Sequence, residues 1–300
     1  MEDRKNMKNK LFILIVLGAV LLFAALLVFS DKESSPTPDT QSQLKLSDIH
    51  GLEVDIDDPD KLYLPNHQGL YVLESDGVLR KAGSISDDFM SFALSPSEPG
   101  VFYASGHPKT GGNFGLTKTT DGGNSWTKIS DGLDGPVDFH TMAIDNINDQ
   151  LIFGYYRGAL QRSDDGGTSW QYLVNAPDQI IQLSAGEIEG QLYAATVSGL
   201  LISQDKGESW TALESIKETL TAIEVNANNG QMFAYGVKSG LIFSDNKGET
   251  WAEIDLDSSD DQVLYIASSR TNPNQAYFVT KSLEIYKTTD GGEAWEYVRL

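Results

Sequence analysis

The chain has 300 residues, of which 40% are hydrophobic, and this content is sufficient for a packed core in one or two domains. Its 43 acidic and 22 basic residues give a net charge of −21, which opposes binding to nucleic acid and to anionic lipid headgroups. The chain contains no cysteine, which excludes disulfides, thiolate metal sites, cysteine nucleophiles and lipidation on cysteine.

The first thirty residues have the composition of a membrane anchor. Residues 1–10 carry four basic side chains, and residues 11–30 follow without a single charge. About twenty apolar residues span a bilayer as a helix, and a basic flank stays cytoplasmic. We therefore predict a cytoplasmic basic segment at 1–10 and a transmembrane signal anchor at 11–30. The rest of the chain would lie on the extracytoplasmic side of the cell membrane. The alternative is a signal peptide cleaved near Ser30, followed by secretion.

Residues 31–46 are polar and contain two prolines, which predicts a flexible stalk. From residue 47 to residue 300, short runs rich in β-branched and aromatic residues alternate with Gly, Asn and Asp, a pattern typical of strands joined by hairpins. The runs "IIQLSA", "QLYAAT", "GLLIS" and "SWTAL", between residues 180 and 213, are an example. No segment after residue 46 has a helical period.

All five tryptophans close copies of one eight-residue phrase. The copies are "TTDGGNSW" (119–126), "SDDGGTSW" (163–170), "SQDKGESW" (203–210), "SDNKGETW" (244–251) and "TTDGGEAW" (288–295). Successive tryptophans are 44, 40, 41 and 44 residues apart, which indicates a repeat architecture. A sixth, weaker copy at 69–80 has Arg80 in place of the tryptophan. Six such units fill residues 47–300 and predict an all-β propeller with six four-stranded blades.

The phrase falls in the hairpin between the third and fourth strands of each unit. Its aspartate can accept hydrogen bonds from turn amides, and its tryptophan can pack between neighbouring blades. We expect these structural residues to be Asp121, Trp126, Asp165, Trp170, Asp205, Trp210, Asn246, Trp251, Asp290 and Trp295. Calcium binding is disfavoured because one carboxylate per loop provides too few ligands. The sequence shows no evident exchange of a strand between the first and last blades to close the ring, unless residues 44–46 supply such a strand.

This phrase resembles the Asp-box, or BNR, repeat of sialidases, other glycoside hydrolase propellers, sortilin-type receptors and photosystem II assembly factors. The resemblance implies the propeller fold and leaves the function open, because these families share the repeat and not the activity. Sialidases also carry an arginine cluster and an Arg-Ile-Pro stretch. This chain has few arginines after the predicted anchor and no Arg-Ile-Pro, so we do not expect sialidase activity. A glycoside hydrolase of another type is the alternative, with Asp88 and Asp138 as catalytic candidates.

The four histidines occupy equivalent ends of the predicted strands. His50 and His140 precede first strands, whereas His67 and His107 end second strands. In an antiparallel blade these positions lie opposite the Asp-box hairpins. The three-residue phrase that ends in His50 and His140, "DIH" at 48–50 and "DFH" at 138–140, recurs in blade 2 as "DFM" at 88–90, where Met90 replaces the histidine. The long loop after His107 marks the same face, and insertions on one face of a repeat protein often mark its binding surface.

We therefore predict that one face of blades 1–3 binds a ligand, a glycan or a protein partner. Its binding residues are predicted to be His50, His67, Met90, His107 and His140. Imidazole is a common ligand of zinc and copper, and a nearby thioether would favour copper. The four histidines are thus candidate metal ligands. Asp88 and Asp138 would orient the imidazoles, or act as acid and base groups in the hydrolase alternative.

Overall fold

A computed structural model of the chain describes residues 46–256 and 261–299. The predicted cytoplasmic segment and anchor, and the predicted stalk except its last residue, lie outside the described residues. Within the described part, no helix has the length and apolar character needed to cross a membrane. The regular structure in these ranges consists of twenty-four β-strands.

The first three blades each hold four consecutive strands. Blade 1 consists of β1 (Glu53–Val54), β2 (Leu62–Asn66), β3 (Gly69–Leu73) and β4 (Leu79–Lys81). Blade 2 consists of β5 (Asp88–Leu94), β6 (Phe102–His107), β7 (Leu116–Thr119) and β8 (Thr127–Ser130). Blade 3 consists of β9 (Thr141–Ile144), β10 (Ile152–Tyr156), β11 (Ala159–Ser163) and β12 (Gln171–Tyr172).

The last three blades repeat this plan. Blade 4 consists of β13 (Ile180–Ala185), β14 (Leu192–Thr196), β15 (Gly199–Ser203) and β16 (Thr211–Ala212). Blade 5 consists of β17 (Leu220–Val225), β18 (Met232–Gly236), β19 (Gly240–Ser244) and β20 (Ala252–Glu253). Blade 6 consists of β21 (Val263–Ser268), β22 (Ala276–Thr280), β23 (Ile285–Thr288) and β24 (Glu296–Val298).

The predicted six-bladed propeller is confirmed. Each blade is a four-stranded sheet whose neighbouring strands are also neighbours in the sequence, and every pairing within the sheets is antiparallel. Residues from the first strands of all six blades line one central cavity of about 360 Å³, so these strands form the inner wall of the ring. Second strands such as β14 are buried along their whole length, whereas fourth strands such as β16 are exposed.

The hydrophobic core is divided into six clusters, each shared by two neighbouring blades. Between blades 2 and 3, for example, Tyr103 and Leu116 pack against Phe139 and Ile152, and all four side chains are almost fully buried. A sheet that is apolar on both faces must cover both faces, and the ring satisfies this need by stacking each blade between two others.

The Asp-box aspartates hold their hairpins as predicted. In blade 3, Oδ1 of Asp165 accepts hydrogen bonds from the Ser169 amide (2.8 Å) and the Ser163 hydroxyl (2.8 Å), and Oδ2 accepts one from the Ser169 hydroxyl (2.6 Å). These bonds, above all the one from the Ser169 hydroxyl, favour the carboxylate and lower the pKa of Asp165 to about 2. The amide contact recurs at Asp121, Asp205, Asn246 and Asp290.

The glycine and the tryptophan of the box connect the hairpin to the preceding blade. Gly167 has a φ of +87°, and a Cβ added to it would lie 2.1 Å from Cδ2 of Leu116 in blade 2. The Trp170 ring packs against Phe139, with ring centroids 5.0 Å apart, and its Nε1 donates to the Gly167 carbonyl (3.0 Å). All five tryptophans pack, half-buried, against the cluster shared with the preceding blade, which confirms the predicted contact between blades.

The ring closes between blades 6 and 1 through side chains. In the described residues, no strand of either blade joins the sheet of the other. Leu46 and Ile49, which precede β1, pack with Val279 and Ile285 of blade 6 in a buried cluster. Leu46, at the predicted boundary between stalk and propeller, is therefore part of the closing contact.

Polar contacts reinforce this seam between blades 6 and 1. Two side chains of blade 6 donate hydrogen bonds to the loop between β1 and β2. Lys287 Nζ donates to Asp60 Oδ1 (2.6 Å), and the Tyr277 hydroxyl donates to the Pro59 carbonyl (2.9 Å). Arg80, at the tryptophan position of blade 1, instead forms a surface ion pair with Asp76. The seam is thus the one blade interface without a tryptophan, since the other five interfaces hold all five.

Replacing Asp165 with alanine should destabilise the propeller by about 1–3 kcal/mol, because two hydroxyls and one amide lose their acceptor. Asp165→Asn should cost less, since Asn246 maintains the same turn in blade 5 with Oδ1 and its amide nitrogen. Urea unfolding followed by far-ultraviolet circular dichroism measures both variants. Equal losses for the two variants would contradict the proposed role of the acceptor oxygen.

Candidate ligand-binding face of blades 1 to 3

The four histidines lie at the ends of strands where the sequence predicts them. His50 and His140 stand just before β1 and β9. His67 occupies the turn between β2 and β3, and His107 is the last residue of β6. Because the strands of a blade are antiparallel, these four positions share the end opposite the Asp-box hairpins. We call this end the histidine face.

The first cluster joins blades 1 and 2 and consists of His50, His67 and Asp88. Nε2 of His50 lies 3.3 Å from both ring nitrogens of His67, and the two rings meet edge to face with centroids 4.3 Å apart. Nδ1 of His67 lies 2.7 Å from Oδ2 of Asp88, and Nε2 of His50 lies 3.6 Å from Oδ1 of Asp88. One carboxylate thus faces two imidazoles.

The second cluster joins blades 2 and 3 and consists of His107, Asp138 and His140. Nε2 of His107 and Nε2 of His140 lie 3.1 Å and 3.0 Å from the same oxygen, Oδ2 of Asp138. Nδ1 of His107 also lies 3.0 Å from the Gly112 carbonyl oxygen. Asp138 is buried, whereas both imidazoles reach solvent.

The two clusters are neighbours. Asp88 of the first cluster is the register partner of His107 of the second in the β5–β6 pair, and such partners have Cα atoms about 4.5–5.5 Å apart. The predicted sector of blades 1–3 therefore holds the four histidines as two adjacent pairs, each pair on one aspartate. No described contact brings Met90 into either cluster.

In the recurring phrase at 48–50, 88–90 and 138–140, the middle residue has the same environment in all three copies, whereas the environment of the aspartate differs. Its middle residues Ile49, Phe89 and Phe139 are all buried and fix the phrase to the core. Asp88 and Asp138 contact imidazoles, but Asp48 is exposed and has a φ of 44°. The recurring phrase thus brings two of its three aspartates into contact with imidazoles.

The electrostatics of the two clusters differ. Burial, followed by the charge of His67, lowers the pKa of His50 and favours neutral imidazole. The hydrogen bond to Asp138 raises the pKa of His140 and favours imidazolium. In each cluster, Oδ1 of the aspartate is buried and has no hydrogen-bond partner among the described residues. Each therefore keeps an unused acceptor.

A groove continues from the second cluster along blade 3. It has a volume of about 620 Å³, and its lining includes His107, Asn113, Asp138, His140, Tyr155, Tyr156 and Arg157. Nδ2 of Asn113, in the long loop of blade 2, donates to the Tyr156 hydroxyl (3.0 Å) and to the Pro136 carbonyl (3.0 Å). The guanidinium of Arg157 lies 4.9 Å from the centroid of the Tyr156 ring. The long loop thus forms one wall of the groove.

The sequence analysis missed Tyr155, Tyr156 and Arg157. Their signal was present, because the β10–β11 turn reads "YYRGA" where the corresponding turns of blades 4 and 5 read "ATVSG" and "YGVKSG". Arg157 has a φ of 51°, a backbone conformation that is uncommon outside glycine. Tyr155 and Tyr156 end β10 and are half-buried, and Arg157 follows in the exposed turn; tyrosine and arginine are enriched at protein interfaces.

The central cavity holds a group of ionisable side chains that is absent from the predictions made from the sequence. Glu53 of β1, Glu224 of β17 and Arg270 beyond β21 all line it. Burial raises the pKa of Glu53 to about 8 and that of Glu224 to about 7. Arg270 donates to the side-chain oxygen of Asn146, across the ring in blade 3. The matching triplets "LEV" and "IEV" in two first strands are the sequence signal for the two glutamates.

Comparison of sequences supports the assignment of the repeat. The sequence profile of the family described as Photosynthesis system II assembly factor YCF48 matches residues 187–300, which include the last three Asp-boxes. The chain is an Asp-box β-propeller. The matched residues belong to blades 4–6, so the match does not extend to the histidine face of this propeller. No curated protein sequence gives a significant match.

Several solved structures share the architecture. The GH74 xyloglucanase from Xanthomonas campestris is 17% identical, with a TM-score of 0.58 over 83% of this chain and 45% of its own. YCF48 bound to D1 peptide is 18% identical, with a TM-score of 0.54 over 84% and 82%. A chain of the nidogen/laminin complex is 11% identical, with a TM-score of 0.61 over 80% and 93%. At these identities the likeness shows the propeller fold alone, and this propeller spans less than half of the xyloglucanase.

The raised pKa of His140 should be observable directly. In NMR titrations of the imidazole C–H signals, we expect His140 to lose its proton above pH 6.5, and Asp138→Asn to return its pKa towards 6.5. Since the folded pKa exceeds the unfolded value, the stabilisation by His140 is complete below pH 6.5 and is lost as the pH rises through the folded pKa. A His140 pKa that is unchanged in a folded Asp138→Asn variant would contradict the assigned cause.

Proposed function

We propose that this propeller is a membrane-anchored binding protein that holds a peptide segment of a partner protein on its histidine face, outside the cell membrane. The observation that carries the proposal is the groove beside the second cluster, where Tyr155, Tyr156 and Arg157 meet Asn113 and the two imidazoles around Asp138. The occupant that we infer is an extended segment rather than a folded domain, because the groove has a volume of only about 620 Å³ and is bounded by a loop.

The chemistry of the groove suits a peptide. Tyrosine and arginine are the residue types that most often dominate binding energy at protein interfaces. The buried Oδ1 of Asp138 is an unused acceptor for a peptide N–H, and Arg157 offers donors for a carbonyl or carboxylate. A volume of about 620 Å³ lies within the usual range of binding pockets, about 300–1,000 Å³, and accommodates a few residues.

The similar structures are compatible with this function. YCF48 bound to D1 peptide shares the propeller fold, and a peptide is the ligand of that protein. At 18% identity the likeness concerns the fold, so the proposal for this chain depends on the residues of its own groove.

The glycoside hydrolase alternative has less support. Its candidates Asp88 and Asp138 each contact two imidazoles, so neither carboxylate stands alone as the acid or the base of a sugar-cleaving pair. The similarity to the xyloglucanase concerns the fold and less than half of that enzyme. Binding is therefore the function that we propose.

The peptide groove can be tested with a library of random peptides displayed on phage and the full chain held in detergent micelles. We expect selected peptides to lose at least tenfold in affinity with Tyr156→Ala or Arg157→Asn, because both variants remove hot-spot side chains. Asparagine tolerates the positive φ of residue 157, so the turn is retained. Arg80→Asn makes the same chemical change at the Asp-box end of blade 1 and should leave affinity unchanged.

Two outcomes would contradict the groove assignment. One is selected peptides that bind equally well to the wild-type chain and to Tyr156→Ala. The other is a loss of affinity in Arg80→Asn as large as in Arg157→Asn. Site-specific photo-crosslinking from position 157 in cells then identifies the natural partner, and a crosslinker at position 80 provides the matched control.

The predicted anchor at 11–30 is a separate part of the proposal. We expect the full chain to sediment with membranes after a carbonate wash and to be digested by protease added outside intact cytoplasmic membranes, because the net charge and the basic flank favour an exported propeller. A chain recovered from the medium with residues 1–30 removed would establish the secreted alternative instead.

A further inference from the structure

The first cluster has a feature that peptide binding does not require. Among the described residues, only His50, His67 and Asp88 bring three metal-ligating side chains together with donor atoms within 4.8 Å of one another. They come from three separate segments: the chain before β1, the β2–β3 turn and the start of β5. The folding of two blades against each other, rather than a local sequence motif, thus assembles the group.

The spacing of the donor atoms matches a tetrahedral ion. With bonds of about 2.0–2.1 Å, two ligand atoms of tetrahedral zinc lie roughly 3.3 Å apart. Nε2 of His50 lies 3.3 Å from Nδ1 of His67 and 3.6 Å from Oδ1 of Asp88, and Nδ1 of His67 lies 2.7 Å from Oδ2 of Asp88. The two separations from Asp88 involve different oxygens, so the carboxylate has to turn until one of its oxygens lies about 3.3 Å from both nitrogens.

The surroundings of these atoms also suit a cation. Oδ1 of Asp88 is buried, lies 3.6 Å from Nε2 of His50 and has no hydrogen-bond partner among the described residues, so it has a lone pair to offer a cation. The His67 side chain is 46% exposed, which gives an ion a path from solvent and lets the ring rotate onto it. Two imidazoles and one carboxylate form a donor set typical of zinc and leave a fourth position open to water.

The second cluster also has an unpartnered carboxylate oxygen and exposed imidazoles, but among the described residues its donor atoms do not meet the 4.8 Å spacing of the first cluster. Both imidazoles there direct Nε2 at one oxygen of Asp138, and the other nitrogen of His107 faces the Gly112 carbonyl. A ring nitrogen that donates a hydrogen bond has no lone pair for a metal. The two nitrogens of His107 thus face two separate oxygens, one of the Asp138 carboxylate and one of the Gly112 carbonyl.

We propose that His50, His67 and Asp88 form a zinc site, independent of the peptide groove, through Nε2 of His50, Nδ1 of His67 and the Asp88 carboxylate. The predicted set of four histidines thus divides into one metal-binding pair and one pair that orients a carboxylate. Nδ1 of His67 ligates through its lone pair, and the neutral ring then carries its hydrogen on Nε2. Water occupies the fourth position.

The test compares the full chain in detergent with His67→Ala and His107→Ala, after chelator treatment and in the presence of excess magnesium. Magnesium occupies the many surface carboxylates. Calorimetry with zinc should give about one site per wild-type chain, and His67→Ala should lower the affinity at least tenfold, since even the loss of an outer-shell partner costs about 10–100-fold. His107→Ala is the matched control and should keep the wild-type affinity.

Cobalt(II) provides an independent readout. The wild-type chain with cobalt should show the strong visible absorption of a tetrahedral site, and zinc should displace it. His67→Ala should give only the weak spectrum of hydrated cobalt. His67 is exposed in a turn, so His67→Ala should fold, and its melting temperature without metal checks this.

Three results would overturn the proposal. The first is that excess magnesium abolishes zinc binding by the wild-type chain. The others are that His67→Ala binds zinc as tightly as the wild-type chain does, or that His107→Ala loses zinc binding. These results are distinguishable from a failure of the peptide groove, because Arg157→Asn removes a groove residue and should leave zinc affinity unchanged.

Discussion

The architecture depends on a hydrogen bond that is repeated from blade to blade, in which the side-chain oxygen of a box residue accepts the amide four residues later. In blade 3 this is the bond from the Ser169 amide to Asp165. The bond fixes a tight hairpin, and the hairpin brings a glycine and a tryptophan against the preceding blade. Without that geometry the third and fourth strands would still pair, but the indole would not reach the interface that it covers.

This arrangement places the stabilising hairpins at one end of each blade and the candidate binding residues of blades 1–3 at the other end. The Asp-box hairpins occupy one end and have little freedom to change, because their side chains serve the turn and the interface together. The connections at the other end do not form these turns or interfaces. The four histidines, the long loop of blade 2 and the Tyr-Tyr-Arg segment of blade 3 lie at that end. A rigid scaffold with variable loops at one end is a common basis for binding.

The sequence was sufficient for the fold because each blade is a local unit. Strands pair with their neighbours in the chain, so the 42-residue period and the box predict both the sheets and their number. It also placed the four histidines on one face, since their positions relative to the strands are local facts. Their division into two clusters was not accessible, because the contact between His67 and Asp88 depends on how blade 1 packs on blade 2. The hydrogen bond from Arg270 of blade 6 to Asn146 of blade 3 was not accessible either, because it forms only when the ring is closed.

The distribution of tryptophan has a spectroscopic consequence. Five blade interfaces each contain one indole, and the seam between blades 6 and 1 contains none. Intrinsic fluorescence excited at the indole band therefore reports on every interface except the one where the ring closes. Opening of the ring at that seam would leave the tryptophan fluorescence unchanged. The near-ultraviolet circular dichroism of Tyr277, which is buried in the seam, would change instead.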